Sequence, residues 1–162
     1  MVRGEDNDRF LLCRVGSRIA ALDIRDVRET MRPLPIEPLT GAPPFVLGLA
    51  IVRGLPIPVI DADRLLGSSV SLSTAWISGS QARFVSLDLG VRTAALAVDA
   101  VLEIRALPIG MRANIDPLLA EAGAGLVSLI GTLDAQLLLV LEAACLVPDS
   151  VWNAPEFSKA SA

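Results

Sequence analysis

Few side chains in this sequence could support catalysis or hold a metal ion. The chain contains no histidine, which removes Ser-His-Asp and Cys-His nucleophile systems and nearly all zinc or iron sites. Ser86 and Cys13 lie within predicted strands and have no base near them in the sequence. Asp61 and Asp63 have carboxylates that suit magnesium, although a helix cap followed by a solvated turn fits their spacing better. We therefore predict no enzyme activity, no cofactor and no metal site.

The elements that must position any functional residue are defined by an internal repeat. The segment Arg9–Thr30 aligns without a gap with Arg83–Ile104, which lies 74 positions later. A second alignment, offset by 81 positions, places Val52–Leu65 against Leu133–Leu146. Repeats of this length indicate two small units of the same kind, side by side. Nine pairs of the first alignment are identical: Arg9/Arg83, Phe10/Phe84, Gly16/Gly90, Arg18/Arg92, Ala20/Ala94, Ala21/Ala95, Leu22/Leu96, Val27/Val101 and Glu29/Glu103.

The residue pattern of each half predicts short strands separated by turns. Alternating apolar residues around Gly16-Ser17 and Gly90-Val91 predict two hairpins. Phe45–Val52 and Leu55–Ile60 predict two further strands, and Asp61–Gly67 predicts a capped helical turn. Each half thus has about five short strands, and sheets of that size avoid exposed edges by closing. We predict an all-β fold of two tandem five-stranded β-barrels related by the repeat, with short helical turns.

The same periodicity predicts which strand residues are buried. Leu11, Cys13 and Val15 are predicted to point inward, and the charged Arg14 between them outward. The run Leu137–Leu141 is apolar on both faces, so we expect it to be buried on both sides, between the halves. Pro56 and Pro58 suit an edge strand, or a strand whose amides on one side are unpaired.

Composition and charge restrict the class of protein. The chain has 162 residues, a mass of 17.0 kDa, 52% hydrophobic residues and a mean hydropathy of +0.57. No apolar run approaches the roughly 18 residues of a spanning helix, and no signal peptide is visible, so we expect an intracellular protein whose apolar surface serves partners. A net charge of −4, with 4% aromatic residues and no Tyr, argues against nucleic-acid binding. Cys13 and Cys145 are interpreted as small buried strand residues without a disulfide.

The predicted organisation is one domain with polar ends. Residues 112–121 also suit a short helix. The boundaries are a disordered arm over 1–8, a single domain over 9–147, halves over 9–67 and 83–147, a connection over 68–82, and a C-terminal tail over 148–162.

One segment resembles the signature of the CheW-like family, the adaptor domains of bacterial chemosensory arrays. This is Pro43–Gly67, PPFVLGLAIVRGLPIPVIDADRLLG. Ala21–Thr30 resembles the family's preceding motif, and Arg83–Ile104 fits equally well, so that the resemblance covers roughly Arg9 to Val147. The matching signature residues are Gly48, Arg53, Gly54, Pro58, Val59, Ile60 and Asp61.

The resemblance implies a fold, a function and partners. It implies two SH3-like β-barrels around a shared apolar centre and a scaffold without enzyme activity. The implied partners are the regulatory domain of a CheA-type histidine kinase and the cytoplasmic hairpin tip of a chemoreceptor, each bound on its own face. The protein would then be cytoplasmic, recruited to membrane-associated receptor arrays without inserting into the membrane. Outside such arrays we expect a monomer or weak self-association.

The resemblance also implies which residues bind the receptor. Arg53 matches the arginine at the family's receptor-binding groove, and Glu29 matches the acid expected to pair with it. Gly54 completes the Arg-Gly step, while Gly48 and Val27 match positions beside that surface. The plainer interpretation is a solvated arginine in a hairpin turn.

The repeat itself singles out the Arg-Gly step. Asp134 and Ala135 stand where the first half has Arg53 and Gly54. A residue needed only for the barrel is expected to be alike in both halves, and this one reverses its charge. A different functional class remains open, namely a small-molecule or peptide sensor that binds its ligand in the cleft between the halves.

Overall fold

The structure, a computed structural model, describes residues 9–67, 81–107, 126–133, 136–147 and 152. Within them are ten strands, one short helix, α1 (Ala62–Leu65), and one 3₁₀ turn (Ala143–Cys145). No helix in this part of the chain is long and apolar enough to cross a membrane. The strands are β1 Arg9–Val15, β2 Arg18–Asp23, β3 Val27–Met31, β4 Val46–Val52, β5 Leu55–Asp61, β6 Arg83–Asp88, β7 Thr93–Val98, β8 Ala100–Ala106, β9 Val127–Leu133 and β10 Gln136–Leu141.

The strands form two five-stranded sheets with matching topology. Sheet 1 has the order β8-β1-β2-β10-β9, and sheet 2 has the order β3-β6-β7-β5-β4. In each sheet an antiparallel hairpin, β1–β2 or β6–β7, pairs in parallel with a second hairpin, β9–β10 or β4–β5. The all-β class and the two five-stranded units are as predicted.

The two sequence halves are intertwined rather than side by side. Sheet 1 takes its first hairpin from the first half and its other three strands from the second, and sheet 2 does the reverse. The pairs β1/β6, β2/β7, β3/β8, β4/β9 and β5/β10 therefore occupy equivalent positions in the two sheets. Neither half can complete a sheet alone, so the fold requires both.

Among the described residues, three apolar clusters stabilise this arrangement. A central cluster draws on both sheets and includes Leu11, Leu22, Leu87, Leu96 and Leu141. Each sheet also has a cluster of its own, around Leu12 and Leu138 in sheet 1 and around Phe84 and Val59 in sheet 2. This agrees with two barrels that share an apolar centre. Burial of such side chains from water contributes about 1.5–3 kcal/mol for each large residue.

The inner strands are buried on both faces, which the alternation only partly predicted. In β1 the predicted inward residues are buried and Arg14 is exposed, but Phe10 and Leu12 are buried as well. They fill the sheet 1 cluster while their neighbours fill the central one. In β10 residues 138–141 are buried as expected, but Leu137 is 42% exposed, so the prediction is wrong there. It stands near the turn end of the β9–β10 hairpin, opposite Thr132, and belongs to none of the three clusters.

The prolines of β5 occupy an inner strand, not an edge. Pro56 and Pro58 stand opposite Ile51 and Leu49 of β4. The parallel pairing of β5 with β7 begins at Val59, immediately after the second proline. The alternative of an inner strand unpaired along one side is therefore the correct one, because proline has no amide to donate there.

Two arginines that the repeat makes equivalent have different partners. Arg18, at the start of β2, donates to the carbonyl oxygen of Leu66 at 2.9 Å and to Asp63 Oδ1 at 3.2 Å. Its repeat counterpart Arg92 instead places its guanidinium carbon 4.8 Å from the ring centroid of Trp152. Trp152 is half-buried and packs on the central cluster. A cation–π contact thus stands where the first half has an ion pair.

Asp61 caps α1, as the sequence predicted. Its Oδ1 accepts hydrogen bonds from the backbone N–H groups of Asp63 and Arg64. Its Oδ2 is buried without a hydrogen-bond partner among the described residues and lies 3.8 Å from Nε of Arg64. The described residues contain no group of three or more potential metal ligands. The two backbone hydrogen bonds make the carboxylate a helix cap, and its second oxygen is left desolvated.

This desolvated carboxylate predicts a pH dependence of stability. Burial raises the pKa of Asp61, against the lowering effect of its backbone hydrogen bonds. The folded state then binds a proton at higher pH than the unfolded state, so this group stabilises the fold below its ordinary pKa and loses that contribution as pH rises through the raised value. Asp61→Asn keeps the capping oxygen and is expected to weaken this dependence. Thermal melts from pH 3 to 7 measure it (the range being roughly that of carboxyl titration), and an unchanged profile would contradict the assignment.

The two cysteines differ, which corrects the prediction that both are buried strand residues. Cys13 is fully buried in β1, whereas Cys145 is exposed in the 3₁₀ turn. The apolar run that suggested a strand at Cys145 ends with β10 four residues earlier, at Leu141. Both thiols are free.

Their different environments predict selective alkylation. Burial raises the pKa of the Cys13 thiol to about 12, so almost no reactive thiolate forms at mildly alkaline pH. We expect iodoacetamide to label only Cys145 in the native protein, and to label Cys13 as well only after denaturation. Peptide mass spectrometry gives the result, and native labelling of Cys13 at a comparable rate would show that β1 is not in the core.

Several predictions fall outside the described residues. They are the disordered arm over 1–8, the helix over 112–121, and Asp134 and Ala135 of the second half. The connection over 68–82 is described only at its last two residues, and the tail over 148–162 only at Trp152.

Candidate partner-binding site

The centre of the candidate site is the turn between β4 and β5. Arg53 and Gly54 form a two-residue turn, with Val52 opposite Leu55, and their φ angles are 52° and 82°. A two-residue hairpin turn with both central residues at positive φ favours Asn-Gly, because other side chains clash with the backbone in that region. Arg53 is the only non-glycine residue with positive φ in the described part of the chain. A strained residue of this kind is typical of functional positions.

Arg53 is held by a two-point hydrogen bond to Glu29 of β3. Its Nε donates to Oε1 and its terminal nitrogen donates to Oε2, both at 2.9 Å. The strands β3 and β4 are the opposite edges of sheet 2. The pair therefore links the two ends of the sheet and fixes the plane of the guanidinium, as parallel hydrogen bonds between arginine and carboxylate do.

The pair stabilises the charged forms of both side chains. The hydrogen bond from Arg53 lowers the pKa of Glu29, and the same bond raises the pKa of Arg53. Both groups are charged at neutral pH, and the pair is lost when pH falls through the lowered Glu29 pKa. Since the Arg53 side chain is 79% exposed, water and salt screen the attraction and its contribution to stability is small. The pair is therefore better explained as orienting the Arg53 side chain than as stabilising the fold.

Apolar side chains flank the arginine and remain in contact with water. Ile51 and Leu55 are 62% and 65% exposed, one before and one after the turn. They are among the few large apolar residues that the described surface presents. A charged group between exposed apolar side chains is a common composition for a protein-binding surface. Neither residue was predicted to be exposed from the sequence, because both strands are apolar on both faces and alternation alone does not show which face meets solvent.

Gly48 lies below this surface. It is buried, and a β carbon placed on it would stand 2.1 Å from the carbonyl oxygen of Glu37. The backbone of Glu37 exchanges two 2.8 Å hydrogen bonds with Leu49 and so covers the edge of β4. Gly48 therefore permits a close backbone approach and offers no side chain to a partner.

Val27 lies at the start of β3, two residues before Glu29. It is half-buried and packs on the central cluster, with Leu87 of β6 as its backbone partner. Its role is thus to anchor the strand that carries Glu29. The structure brings Arg53, Gly54 and Glu29 together, and it places Val27 and Gly48 in supporting positions.

Comparison with known proteins identifies the family. The CheW-like domain matches residues 9–150. This chain belongs to the CheW-like family. A curated relative, "Chemotaxis protein CheW" of Rhizobium meliloti (strain 1021), is 31% identical over 91 residues, a match that spans 56% of this chain and 56% of that protein.

A solved structure supports the same CheW-like fold. The scaffolding protein TtCheW from Thermoanaerobacter tengcongensis superimposes with a TM-score of 0.67 at 21% identity. The match covers 86% of this chain and 91% of the other. At that identity the likeness establishes the two SH3-like barrels and leaves the site to be argued from its own residues.

In the described part of the second barrel, the glutamate equivalent to Glu29 has a different partner. Glu103 is the repeat counterpart of Glu29, but its carboxylate binds Arg105, with a terminal nitrogen 2.6 Å from Oε1. Glu103 thus binds an arginine on its own strand, whereas Glu29 binds an arginine next to the opposite edge strand of its sheet. The difference between the copies, rather than the repeat, marks the site.

Proposed function

We propose that this CheW-like protein is a non-enzymatic chemosensory scaffold that couples chemoreceptor tips to a CheA-type histidine kinase. The observation that carries the proposal is Arg53, an exposed arginine kept in a strained turn and oriented by Glu29. A hairpin turn selected for stability alone would hold Asn or Gly. Recognition of a partner explains why the arginine is there.

The surface around Arg53 suits the tip of a helical hairpin. An oriented guanidinium can bind a carboxylate, while Ile51 and Leu55 provide apolar area on either side. This combination suits an amphipathic helical segment with an acidic residue beside apolar ones. The receptor tip is our proposed occupant of this surface.

The kinase is proposed to bind elsewhere on the same protein. A scaffold must engage both partners at once, so its two binding surfaces must not overlap. The names of the curated relative and of the solved scaffolding protein support a role in chemotaxis. In this proposal the protein works in the cytoplasm and is recruited to membrane-associated arrays through the receptor.

The test measures each partner separately. Purified receptor hairpin tip and kinase regulatory domain are titrated into the wild-type protein by calorimetry. We expect both to bind, and Arg53→Glu to weaken the receptor at least tenfold, about 1.4 kcal/mol, while binding to the kinase is unchanged. Binding of neither partner would reject the scaffold. Normal receptor binding by Arg53→Glu would reject the role assigned to the arginine.

A further inference from the structure

The edge strand β8 of sheet 1 presents exposed apolar side chains. Among the described residues it pairs with β1 on one side and with no strand on the other. Leu102 is 40% exposed and Ile104 is 55% exposed, and Glu103 between them is exposed as well. Because Glu103 and Ile104 point to opposite faces of the sheet, both faces are open to solvent there. An edge of this kind is a template for a further strand.

The equivalent edge of sheet 2 is protected against such pairing. In β3, Arg28 stands at the position equivalent to Leu102 and forms an ion pair with Asp88. The polar Thr30 stands at the position equivalent to Ile104. Charged and polar residues on an edge strand discourage pairing with another chain. The two strands have the same place in the fold, so the fold alone does not require the apolar residues of β8.

The charged residues of β8 are complementary to those of a second, antiparallel copy of the same strand. Glu103 and Arg105 flank Ile104, and their side chains share one face of the strand, with a nitrogen to oxygen distance of 2.6 Å between them. When two copies of β8 align antiparallel with Ile104 opposite Ile104, Glu103 of each copy faces Arg105 of the other. Opposite charges that face each other across a strand pair stabilise it, and like charges destabilise it.

We propose that β8 pairs with β8 of a second copy of this chain, antiparallel and centred on Ile104, to form a two-fold symmetric dimer through sheet 1. The two Ile104 side chains meet on one face of the pair. On the other face the Glu103 and Arg105 side chains of both copies alternate in charge. The equivalent pairing of β3 places Glu29 opposite Met31 and forms no ion pair across the strands. Charge complementarity therefore favours a second copy as the partner of β8.

The dimer is expected to be weak. Only residues 102–106 of each copy take part in the pairing, whereas a stable complex uses roughly 20–30 residues on each side. We expect a dissociation constant on the order of 0.1 mM in low-salt buffer, and weaker association as salt is added. The inference goes beyond the proposed coupling of receptor and kinase and does not depend on it, so its test uses neither partner.

Sedimentation velocity on the full chain over a range of concentrations measures the dimer directly. We expect the wild type to change from monomer to dimer between about 10 μM and 1 mM. Glu103→Arg sets bases opposite each other and Arg105→Glu sets acids opposite each other, so each variant alone should dimerise about tenfold more weakly. An equimolar mixture of the two variants should dimerise as well as the wild type, because every facing pair then has opposite charges.

Two further variants separate this edge from the rest of the surface. Ile104→Lys places a charge at the centre of the pairing and should abolish the dimer, whereas Thr30→Lys at the equivalent position of β3 should have no effect. Thermal melts of all four variants show that they are folded. The proposal is overturned if the wild type remains monomeric at the highest concentration or if Ile104→Lys dimerises like the wild type. It is equally overturned if the mixture of charge variants associates no better than either variant alone.

Discussion

Replacing Arg53 by Asn is expected to remove receptor binding from a protein that is as stable as the wild type or more so. Asn-Gly is the preferred sequence for a hairpin turn with two residues at positive φ. The substitution removes the strain at Arg53 together with its screened pair to Glu29. We expect a Tm that is unchanged or higher by about 2–4 °C. Affinity for the receptor tip should fall at least tenfold, because no oriented cation remains.

This combination separates function from folding. Any loss of binding by Arg53→Glu is open to the objection that the protein has unfolded, and a variant with an intact or higher Tm is not. Arg25→Asn is a matched control, since Arg25 is also an exposed arginine paired with a carboxylate, that of Asp23. Calorimetry measures the affinity and thermal melts measure the Tm, both on the same samples of the two variants. A marked fall in Tm with Arg53→Asn would show that the arginine is kept for the fold.

Replacing Gly48 by Ala is expected to destabilise the protein strongly. The added β carbon would stand 2.1 Å from Glu37 O and 2.8 Å from a methyl carbon of Ile36, at a φ of 144° that side chains rarely adopt. Overpacking and backbone strain together are expected to cost about 3 kcal/mol. For a chain of this size, that lowers the Tm by roughly 6–12 °C.

A second glycine isolates the steric effect. Gly41 also has positive φ, 78°, but a β carbon there would meet nothing within 4 Å. Gly41→Ala therefore pays only for the backbone conformation and should lower the Tm much less. If Gly48→Ala and Gly41→Ala lower the Tm by the same amount, the close approach of Glu37 to β4 does not explain why glycine is needed at position 48. Gly48 is buried, so we attribute any loss of partner binding by Gly48→Ala to disruption of the fold.

Local features of the fold were predictable from the sequence because they depend on residues close together in the chain. Alternation and turn residues gave the β1–β2 and β6–β7 hairpins, and the aspartate before a short apolar run gave the cap of α1. The repeat correctly paired the strands that hold equivalent positions. The contact of Arg53 with Glu29 followed from the family resemblance, and its geometry is that of a two-point hydrogen bond.

The exchange of strands between halves was not predictable in this way. It depends on parallel pairing of β2 with β10 and of β5 with β7, contacts between residues far apart in the chain. No local pattern indicates which hairpin will accept which strand. Burial on both faces followed from the same exchange, so Phe10 and Leu12 did not obey the simple alternation.

Two properties of the candidate site required coordinates. Arg53 has a positive φ. Turns of this type prefer Asn-Gly, so the Arg-Gly sequence does not predict this conformation. The exposure of Ile51 and Leu55 depends on how far the hairpin projects past the sheet 2 cluster. Both add a physical reason to Arg53, which the family resemblance and the broken repeat had already singled out.

The central claim is that one protein holds a receptor and a kinase at the same time. Sedimentation velocity on the mixture of wild-type protein, receptor hairpin tip and kinase regulatory domain measures this directly. We predict a ternary species that Arg53→Asn converts into the binary complex with the kinase. If the receptor tip and the kinase domain displace each other from the wild-type protein, or if no ternary species forms at saturating concentrations, the account is contradicted.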